Sequence, residues 1–177
     1  MNSVQTGFMR RVNLPAGVAG TLWLGPMPGR LRPLADDLAD LNRQSVARVI
    51  CLTPMDEIAS KAPDYAARQA ELGFPVTRFP IGDFGVPEDH GGLKALAEAA
   101  ARDLEAGRAL FVHCAAGIGR TGMVATCILV ALGLSGEAAT ATIAAAGSGP
   151  ETDVQKQLVA RYAEAALQSG PGTRRDG

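Results

Sequence analysis

The chain has 177 residues, of which 47% are hydrophobic, and this size predicts one domain with one core. Its 17 basic and 18 acidic residues nearly cancel, and only 5% of residues are aromatic, so neither charge nor base stacking would attract nucleic acid. Charges or glycines interrupt each long apolar stretch before it reaches membrane-spanning length, so we expect neither a nucleic acid nor a membrane as partner.

Short apolar strands alternate with helical segments along the chain. The predicted strands, bounded by glycine, proline or charge, cover 21–24, 48–52, 76–80 and 109–112. The predicted helices cover 34–41, 64–72, 90–106, 120 to about 132, 136–146 and 152–167. This alternation predicts an α/β fold, with a central, mostly parallel sheet of about four to five strands flanked by helices.

The ends of the chain and its cysteines bear on its organisation and location. One domain is expected over residues 1–168, followed by a flexible tail at 169–177 that is rich in glycine, proline and charge. Arg10 and Arg11 precede a mildly apolar stretch, but proline and glycine interrupt it, which argues against a signal peptide. The three cysteines are widely spaced and form no C-x-x-C pair, so we expect a reducing compartment and a cytoplasmic location.

The loop after the last predicted strand has the chemistry of an anion site. Residues 113–122 read His-Cys-Ala-Ala-Gly-Ile-Gly-Arg-Thr-Gly, between a strand and a helix. Such a loop directs several backbone N–H groups to one point, where the helix N-terminus adds partial positive charge. Cys114 opens the loop as the predicted nucleophile, and Arg120 can grip two phosphate oxygens with its guanidinium fork. The residues predicted to bind phosphate between them are Ala115, Ala116, Gly117, Ile118 and Gly119.

The same loop admits three other interpretations. Cys114 could be an ordinary buried core cysteine. Gly117-x-Gly119-x-x-Gly122 also matches the dinucleotide-binding fingerprint, but no second strand is predicted after the helix, and no acidic residue ends one about 20 residues on. A Walker-type loop would end in Gly-Lys-Ser or Gly-Lys-Thr, which this loop lacks. The order of cysteine, two glycines and arginine favours the phosphate site.

The pattern His-Cys-x5-Arg-Thr resembles the signature of the protein tyrosine and dual-specificity phosphatase superfamily. Residues 20–165 resemble its compact members, nearest the kinase-associated phosphatase type, with supporting stretches at 24–28, 51–53 and 80–87. The resemblance implies a dual-specificity-phosphatase-like fold and a cysteine-dependent phosphatase whose partner is a phosphorylated protein. No metal or other cofactor is expected, because Arg120 and the backbone N–H groups can meet the charge of the transferring phosphoryl group.

A phosphatase of this kind needs an acid that protonates the leaving oxygen. Asp83 lies on a glycine-flanked loop after a predicted strand, 31 residues before Cys114, and the resemblance also places the acid on this loop. An ordinary turn aspartate is the other interpretation of Asp83. Asp89 is the fallback acid, whereas Asp56 and Glu57, expected on a loop without a matching motif, are less favoured.

Further residues are predicted to assist. Thr121 could donate a hydrogen bond to the Cys114 sulfur when the thiolate leaves, although helix N-termini favour threonine in any case. His113 is expected to face inward and order the loop. By the resemblance, Gln155 helps position the hydrolytic water, unless it is a solvated helical glutamine. Just before it, residues 144–149 lack the arginines that the superfamily often carries there.

Cys51 ends a predicted strand that should lie parallel to, and beside, the strand leading into Cys114. Some compact and lipid-directed members of the superfamily pair the nucleophile with a cysteine in this strand. The resemblance therefore implies a reversible Cys51–Cys114 bridge under peroxide, and an inert core cysteine is the alternative.

The apolar loop residues bear on the substrate. Members of the superfamily that act on inositol lipids or polyphosphates tend to carry lysine where this chain has Ala115, Ala116 and Ile118. No long insertion or tyrosine-rich wall precedes the site, so a shallow cleft is expected that admits phosphoserine and phosphothreonine beside phosphotyrosine. The predicted function is hydrolysis of phosphate monoesters on proteins through a phospho-cysteine intermediate. The alternative is a catalytically weak phosphate-binding module that keeps Arg120 but has lost turnover.

Overall fold

A five-stranded sheet forms the centre of the structure, and the computed structural model describes residues 7–170 around it. Its strands are β1 Arg10–Arg11, β2 Thr21–Gly25, β3 Val46–Cys51, β4 Val76–Arg78 and β5 Ala109–His113. The strand order is β1-β2-β5-β3-β4, and only β1 runs antiparallel to its neighbour. The predicted, mostly parallel sheet is therefore confirmed.

Helices cover both faces of the sheet. They are α1 Leu34–Arg43, α2 Met55–Lys61, α3 Pro63–Arg68, α4 His90–Glu105, α5 Gly119–Ala131, α6 Gly136–Ala145 and α7 Asp153–Gln168. A 3-10 turn, Gln69–Glu71, follows α3. After α5 the chain continues into α6 and α7 as far as residue 170, so it does not form the second strand that a dinucleotide-binding unit requires.

The strand β5 and most of α5 are buried, and both are mostly apolar. Each residue of β5 is buried, as expected for a parallel strand covered on both faces. One face carries the main core, with side chains of α4, α5, α6 and α7, and the opposite face packs against α1, α2 and α3. The loop at Cys114 thus starts from a rigid strand and ends in a buried helix, which fixes both of its ends.

Two elements were not predicted from the sequence. Asp56 and Glu57 were expected on a loop, but they lie in the first turn of α2, which begins after Pro54. The two-residue strand β1 pairs with β2 at the sheet edge and is too short to give a sequence pattern.

The described residues cover only part of the predicted C-terminal tail. α7 ends at Gln168, but most of the predicted tail, residues 171–177, lies outside the described residues, so the domain limits stay a prediction. None of the helices within residues 7–170 is long and apolar enough to cross a membrane.

Candidate active site

The loop between β5 and α5 turns four of its carbonyl groups away from a common centre. His113 Nδ1 donates to Cys114 O at 3.1 Å, and Ser148 Oγ donates to Gly117 O at 2.6 Å. Ala115 O accepts from Met27 N at 3.1 Å and from Arg30 Nη1 at 2.9 Å. Gly149 N donates to Ile118 O at 3.2 Å. In a trans peptide the next N–H points opposite to the carbonyl. The N–H groups that follow these carbonyls are thereby directed toward the centre of the loop, which makes it an anion nest.

Cys114 lies at the base of this nest. Its side chain is buried, and its sulfur accepts a hydrogen bond from the backbone N–H of Gly117 at 3.3 Å. The N-terminus of α5 begins at Gly119, so the helix dipole adds to the stabilisation of a thiolate. Gly117 has a φ of 74°, and a Cβ there would overlap the backbone of Gly25, so only glycine fits.

Gly122, the last glycine of the G-x-G-x-x-G pattern, has a packing role. A Cβ at this position would overlap the backbone of Gly149. The glycine lets α5 approach the segment that follows α6, and that segment holds the carbonyl of Ile118. The pattern that resembles a dinucleotide fingerprint is therefore explained by close backbone packing around the loop.

Arg120 is a buried cation held by acidic groups. Its guanidinium donates to both carboxylate oxygens of Glu57 at 2.8 and 2.9 Å and to Ile81 O at 2.9 Å. Burial lowers the pKa of Arg120, but the hydrogen bonds to Glu57 and the charges of Cys114, Glu57 and Asp83 outweigh burial and raise it. The hydrogen bonds from Arg120 in turn lower the pKa of Glu57 to about 2.

Sequence reasoning missed the role of Glu57 because it placed Asp56 and Glu57 on a loop. A signal was present: Pro54 followed by two acidic residues is typical of a helix start. A helix beginning there comes directly after β3, at the same sheet edge as the loop at Cys114, and Glu57 is therefore close to Arg120.

Asp83 and Asp89 occupy different environments. Asp83 lies 3.2 Å from Arg120, and its side chain is 51% exposed. Phe84 N also donates to its carboxylate at 3.1 Å. Asp89, the fallback acid, instead caps α4 by accepting from Gly92 N at 2.8 Å. Of these two candidates, only Asp83 lines the pocket that contains Cys114.

Gln155 is buried and joins the start of α7 to the Asp83 loop. Its Oε1 accepts from Glu151 N at 2.8 Å and from Thr152 N at 3.4 Å, and its Nε2 donates to Gly85 O at 3.0 Å. The amide oxygen of Gln155 thus already accepts from two backbone N–H groups, whereas the predicted role in holding water would need this oxygen to be free. The solvated alternative is wrong, since the side chain is buried.

Thr121 and His113 both lie beneath the loop. The Thr121 hydroxyl is fully buried and has no hydrogen-bond partner within residues 7–170, so the predicted bond to Cys114 is not formed in this structure. His113 Nδ1 donates to Cys114 O, and its Nε2 lies 2.8 Å from Tyr65 Oη and can accept from it. His113 therefore contacts the loop from inside, as the sequence predicted.

Cys51 lies beside β5 as expected, but its side chain is on the other face of the sheet from Cys114. It pairs in register with His113, and successive residues of a strand point to opposite faces. Cys51 packs with Met27, Ile58 and Tyr65, whereas Cys114 packs with the main core. The hypothesis of a direct bridge loses its geometric support, because the two Cβ vectors point apart.

The surface around Cys114 forms a pocket of about 190 Å³. The lining residues are Arg30, Lys61, Asp83, Phe84, Cys114, Ala115, Ala116, Gly119, Arg120, Glu151 and Gln155. Larger hollows of about 430 and 510 Å³ lie between helices away from Cys114 and contain no nucleophilic thiol among their lining residues. The candidate catalytic residues Cys114, Arg120 and Asp83 therefore line the smaller pocket.

A thiol in an anion nest with a buried arginine defines the class of cysteine-dependent phosphatases. The family model described as "Tc-R-P: Polymorphic toxin system, DSP-PTPase phosphatase" matches residues 25–134, and the chain belongs to this family. It is a cysteine-dependent phosphatase of the dual-specificity and tyrosine phosphatase superfamily, which confirms the resemblance seen in the sequence.

Solved structures share the fold. A kinase associated phosphatase with a serine at its catalytic cysteine matches with a TM-score of 0.78 and 21% identity, over 92% of this chain and 98% of that chain. Tk-PTP in its active form matches with a TM-score of 0.66 and 23% identity, over 83% and 94%. A human tyrosine phosphatase-like serine/threonine/tyrosine-interacting protein matches with a TM-score of 0.67 and 19% identity, over 89% and 97%. The search of curated proteins gave no match.

Proposed function

We propose that this enzyme removes phosphate from proteins, acting on phosphotyrosine and also on phosphoserine and phosphothreonine, through a phospho-cysteine intermediate. One observation carries the proposal: Cys114, the inward N–H groups, Arg120 and Asp83 face the same pocket. Nucleophile, phosphate grip and acid are therefore within reach of one phosphate group.

In the first step the Cys114 thiolate attacks phosphorus, and the bond from phosphorus to the substrate oxygen breaks. Arg120 and the nest N–H groups hold the phosphate oxygens and stabilise their charge. Asp83 gives its proton to the leaving oxygen. Asp83 lies 3.2 Å from Arg120, so a phosphate held by the arginine would lie within reach of this carboxyl group.

In the second step water attacks the phospho-cysteine, and the sulfur–phosphorus bond breaks. Asp83, now a carboxylate, takes the proton from the water, and inorganic phosphate forms. Thr121 is suited to stabilise the departing thiolate because its buried hydroxyl has no hydrogen-bond partner within residues 7–170. Gln155 supports this step by holding the Asp83 loop against α7 rather than by binding water through its amide oxygen.

The charges around the pocket support a simple monoester as substrate. The cations Arg30, Lys61 and Arg120 are balanced by the carboxylates Glu57, Asp83 and Glu151. Lys61 is already paired with Glu57 at 2.8 Å, and Arg30 donates to Ala115 O. Few free cations remain for the additional phosphates of a polyphosphorylated head group.

The pocket rim supports a protein as the leaving group. Phe84, which lines the pocket, is 58% exposed, and Ile118 in the loop is 39% exposed. Apolar side chains held in solvent beside a binding site are suited to contact a partner surface or an aromatic ring.

The three unbridged cysteines favour action in a reducing compartment such as the cytoplasm.

The test compares a small aryl phosphate, a matched set of phosphotyrosine, phosphoserine and phosphothreonine peptides, and a phosphoinositide. The wild-type enzyme should hydrolyse the aryl phosphate and the peptides and should be slow on the phosphoinositide. Cys114→Ser should abolish turnover but still bind vanadate, whereas Cys127→Ser, at a buried cysteine within α5, should keep activity. Vanadate binding without turnover in the wild-type enzyme would favour the phosphate-binding module.

A further inference from the structure

Two side chains from opposite ends of the chain meet behind the phosphate loop. Ser148 Oγ donates to Gly117 O at 2.6 Å, and the Arg10 guanidinium donates to the same carbonyl and, at 3.1 Å, to Ser148 Oγ. Arg10 also donates to Gly147 O, which ties the arginine to the segment after α6. One carbonyl of the loop is therefore held by two linked donors.

Neither donor belongs to the part of the chain that defines the family. Arg10 lies in β1 and Ser148 follows α6, whereas the family match spans residues 25–134. The segment 144–149 has no arginine of its own, and the guanidinium that contacts it comes from the edge strand of the sheet. This chain thus completes the support of its loop with residues outside the matched region.

The carbonyl they hold belongs to a peptide that needs such support. Gly117 has a φ of 74°, and glycine resists rotation of its peptide less than other residues. With Gly117 O facing Arg10, the Ile118 N–H faces the pocket, because the two groups of a trans peptide are antiparallel. A turned peptide would present a carbonyl oxygen to the phosphate and replace an attraction with a repulsion.

We propose that Arg10 and Ser148 form a clamp that keeps the Gly117–Ile118 peptide in the phosphate-binding orientation, which makes both of them positioning residues. The proposal rests on the proposed function of the loop as the phosphate site. The Arg10–Ser148 clamp does not touch phosphate itself and acts only through the Gly117 carbonyl. Burial lowers the pKa of Arg10, and the nearby Cys114 sulfur opposes that shift.

The test uses Arg10→Ala, Ser148→Ala and the double variant, with Arg11→Ala as the matched control on the same strand. Arg11 is exposed, so its loss tests the strand without the clamp. Losing one oriented oxyanion donor costs about 10²-fold or more, so partial loss of orientation should lower kcat/KM about 10-fold in each single variant. Vanadate affinity should fall by a similar factor. The double variant should lose less than the product of the two, since both donors hold one carbonyl.

Chemical rescue separates positioning from folding. Added guanidinium at low millimolar concentration should restore part of the activity of Arg10→Ala and leave Arg11→Ala unchanged, and thermal unfolding of both variants should be compared. Equal vanadate affinity and equal kcat/KM in Arg10→Ala and Arg11→Ala would overturn the clamp, as would a loss that guanidinium does not relieve. An inactive wild-type enzyme would instead overturn the proposed function, so the two failures are distinguishable.

Discussion

At the scale of single residues, the site depends on how the charge of the buried Arg120 is balanced. A buried, unpaired guanidinium would be costly, and Glu57 offsets that cost with two hydrogen bonds. Ile81 O also accepts from Arg120, so three protein oxygens hold the guanidinium fork. The residue proposed to grip phosphate is therefore oriented by a residue in another element, α2.

Replacing Glu57 with glutamine should weaken this orientation. Glu57→Gln keeps one acceptor but loses the charge, and we expect kcat/KM to fall about 10-fold or more. Arg120→Lys, which keeps charge but loses the fork, should cost on the order of 10²-fold or more. Asp56→Asn in the same turn of α2 is the control, since Asp56 is exposed. Normal steady-state rates for both Glu57→Gln and Arg120→Lys would show that this arginine only supports the fold.

Glu57 should also affect how the stability of the folded protein changes at acidic pH. Its pKa in the folded protein is about 2, below the unfolded value near 4.3, so its contribution to stability is fully present above that value. The contribution is lost as the pH falls from about 4.3 toward 2. Thermal unfolding between pH 6 and 2 should therefore fall more steeply for the wild-type protein than for Glu57→Gln. Parallel curves would contradict the coupling.

Asp83 gives a prediction that separates an acid from a turn residue. Asp83→Ala should reduce hydrolysis of alkyl or tyrosyl phosphates far more than that of an activated aryl phosphate, because only a poor leaving group needs the proton. Asp89→Asn, which preserves the cap of α4, serves as the control. Equal losses on both substrates would assign the acid to another residue.

At the scale of elements, the N-terminus of α7 holds the loop that carries Asp83, the proposed acid. Thr152 and Gln155 form a capping box, and each also reaches that loop: Thr152 Oγ1 donates to Phe84 O at 3.1 Å, and Gln155 Nε2 donates to Gly85 O. These two bonds are the only side-chain bridges between α7 and the loop within residues 7–170. The position of Asp83 therefore depends on a helix end.

Breaking this connection should resemble a weak form of the Asp83 variant. Gln155→Ala should lower kcat on a poor leaving group more than on an activated aryl phosphate, with a small change in KM. Ser135→Ala removes the cap that accepts a hydrogen bond from Ala138 N in α6, and it should cost about 1 kcal/mol of stability without that selectivity. The leaving-group dependence of kcat for both variants is the measurement. An identical dependence would mean that α7 does not position the acid.

The sequence predicted this site unevenly, for physical reasons. Cys114 and Arg120 could be recognised because nucleophile, nest and arginine belong to one continuous loop. Arg10 and Ser148 could not, since each reaches the loop from a distant part of the chain through tertiary packing. Glu57 was missed although Pro54 and two acidic residues mark the start of its helix, because its contact with Arg120 also depends on tertiary packing. The helices at 90–105 and 153–168 were close to prediction because caps and long apolar patterns define them, whereas β1 has two residues and no pattern.

At the scale of the whole molecule, the sheet separates two environments. Cys114 and Cys127 belong to the main core on the face of α4 to α7. Cys51 lies in the cluster on the opposite face, where its sulfur accepts from Gln69 Nε2 at 3.7 Å. Burial raises the pKa of Cys127 to about 12, which leaves it inert as a thiol. Cys114 therefore has no second reactive thiol on its own side of the sheet within residues 7–170.

This separation predicts how the enzyme responds to peroxide. Cys114 should oxidise first to a sulfenic acid, which Cys51 cannot reach without a shift of the strand backbone, because the two side chains leave the sheet in opposite directions. Prolonged exposure should then give irreversible sulfinic acid at Cys114 rather than a disulfide. Peptide mass spectrometry should find oxidised Cys114 and no Cys51–Cys114 linked pair. Cys51→Ser should recover the same fraction of activity on reduction as the wild-type enzyme, with Cys127→Ser as the control. A linked pair in high yield, together with poorer recovery of Cys51→Ser, would show that β3 and the loop move enough to bring the two sulfurs to one face.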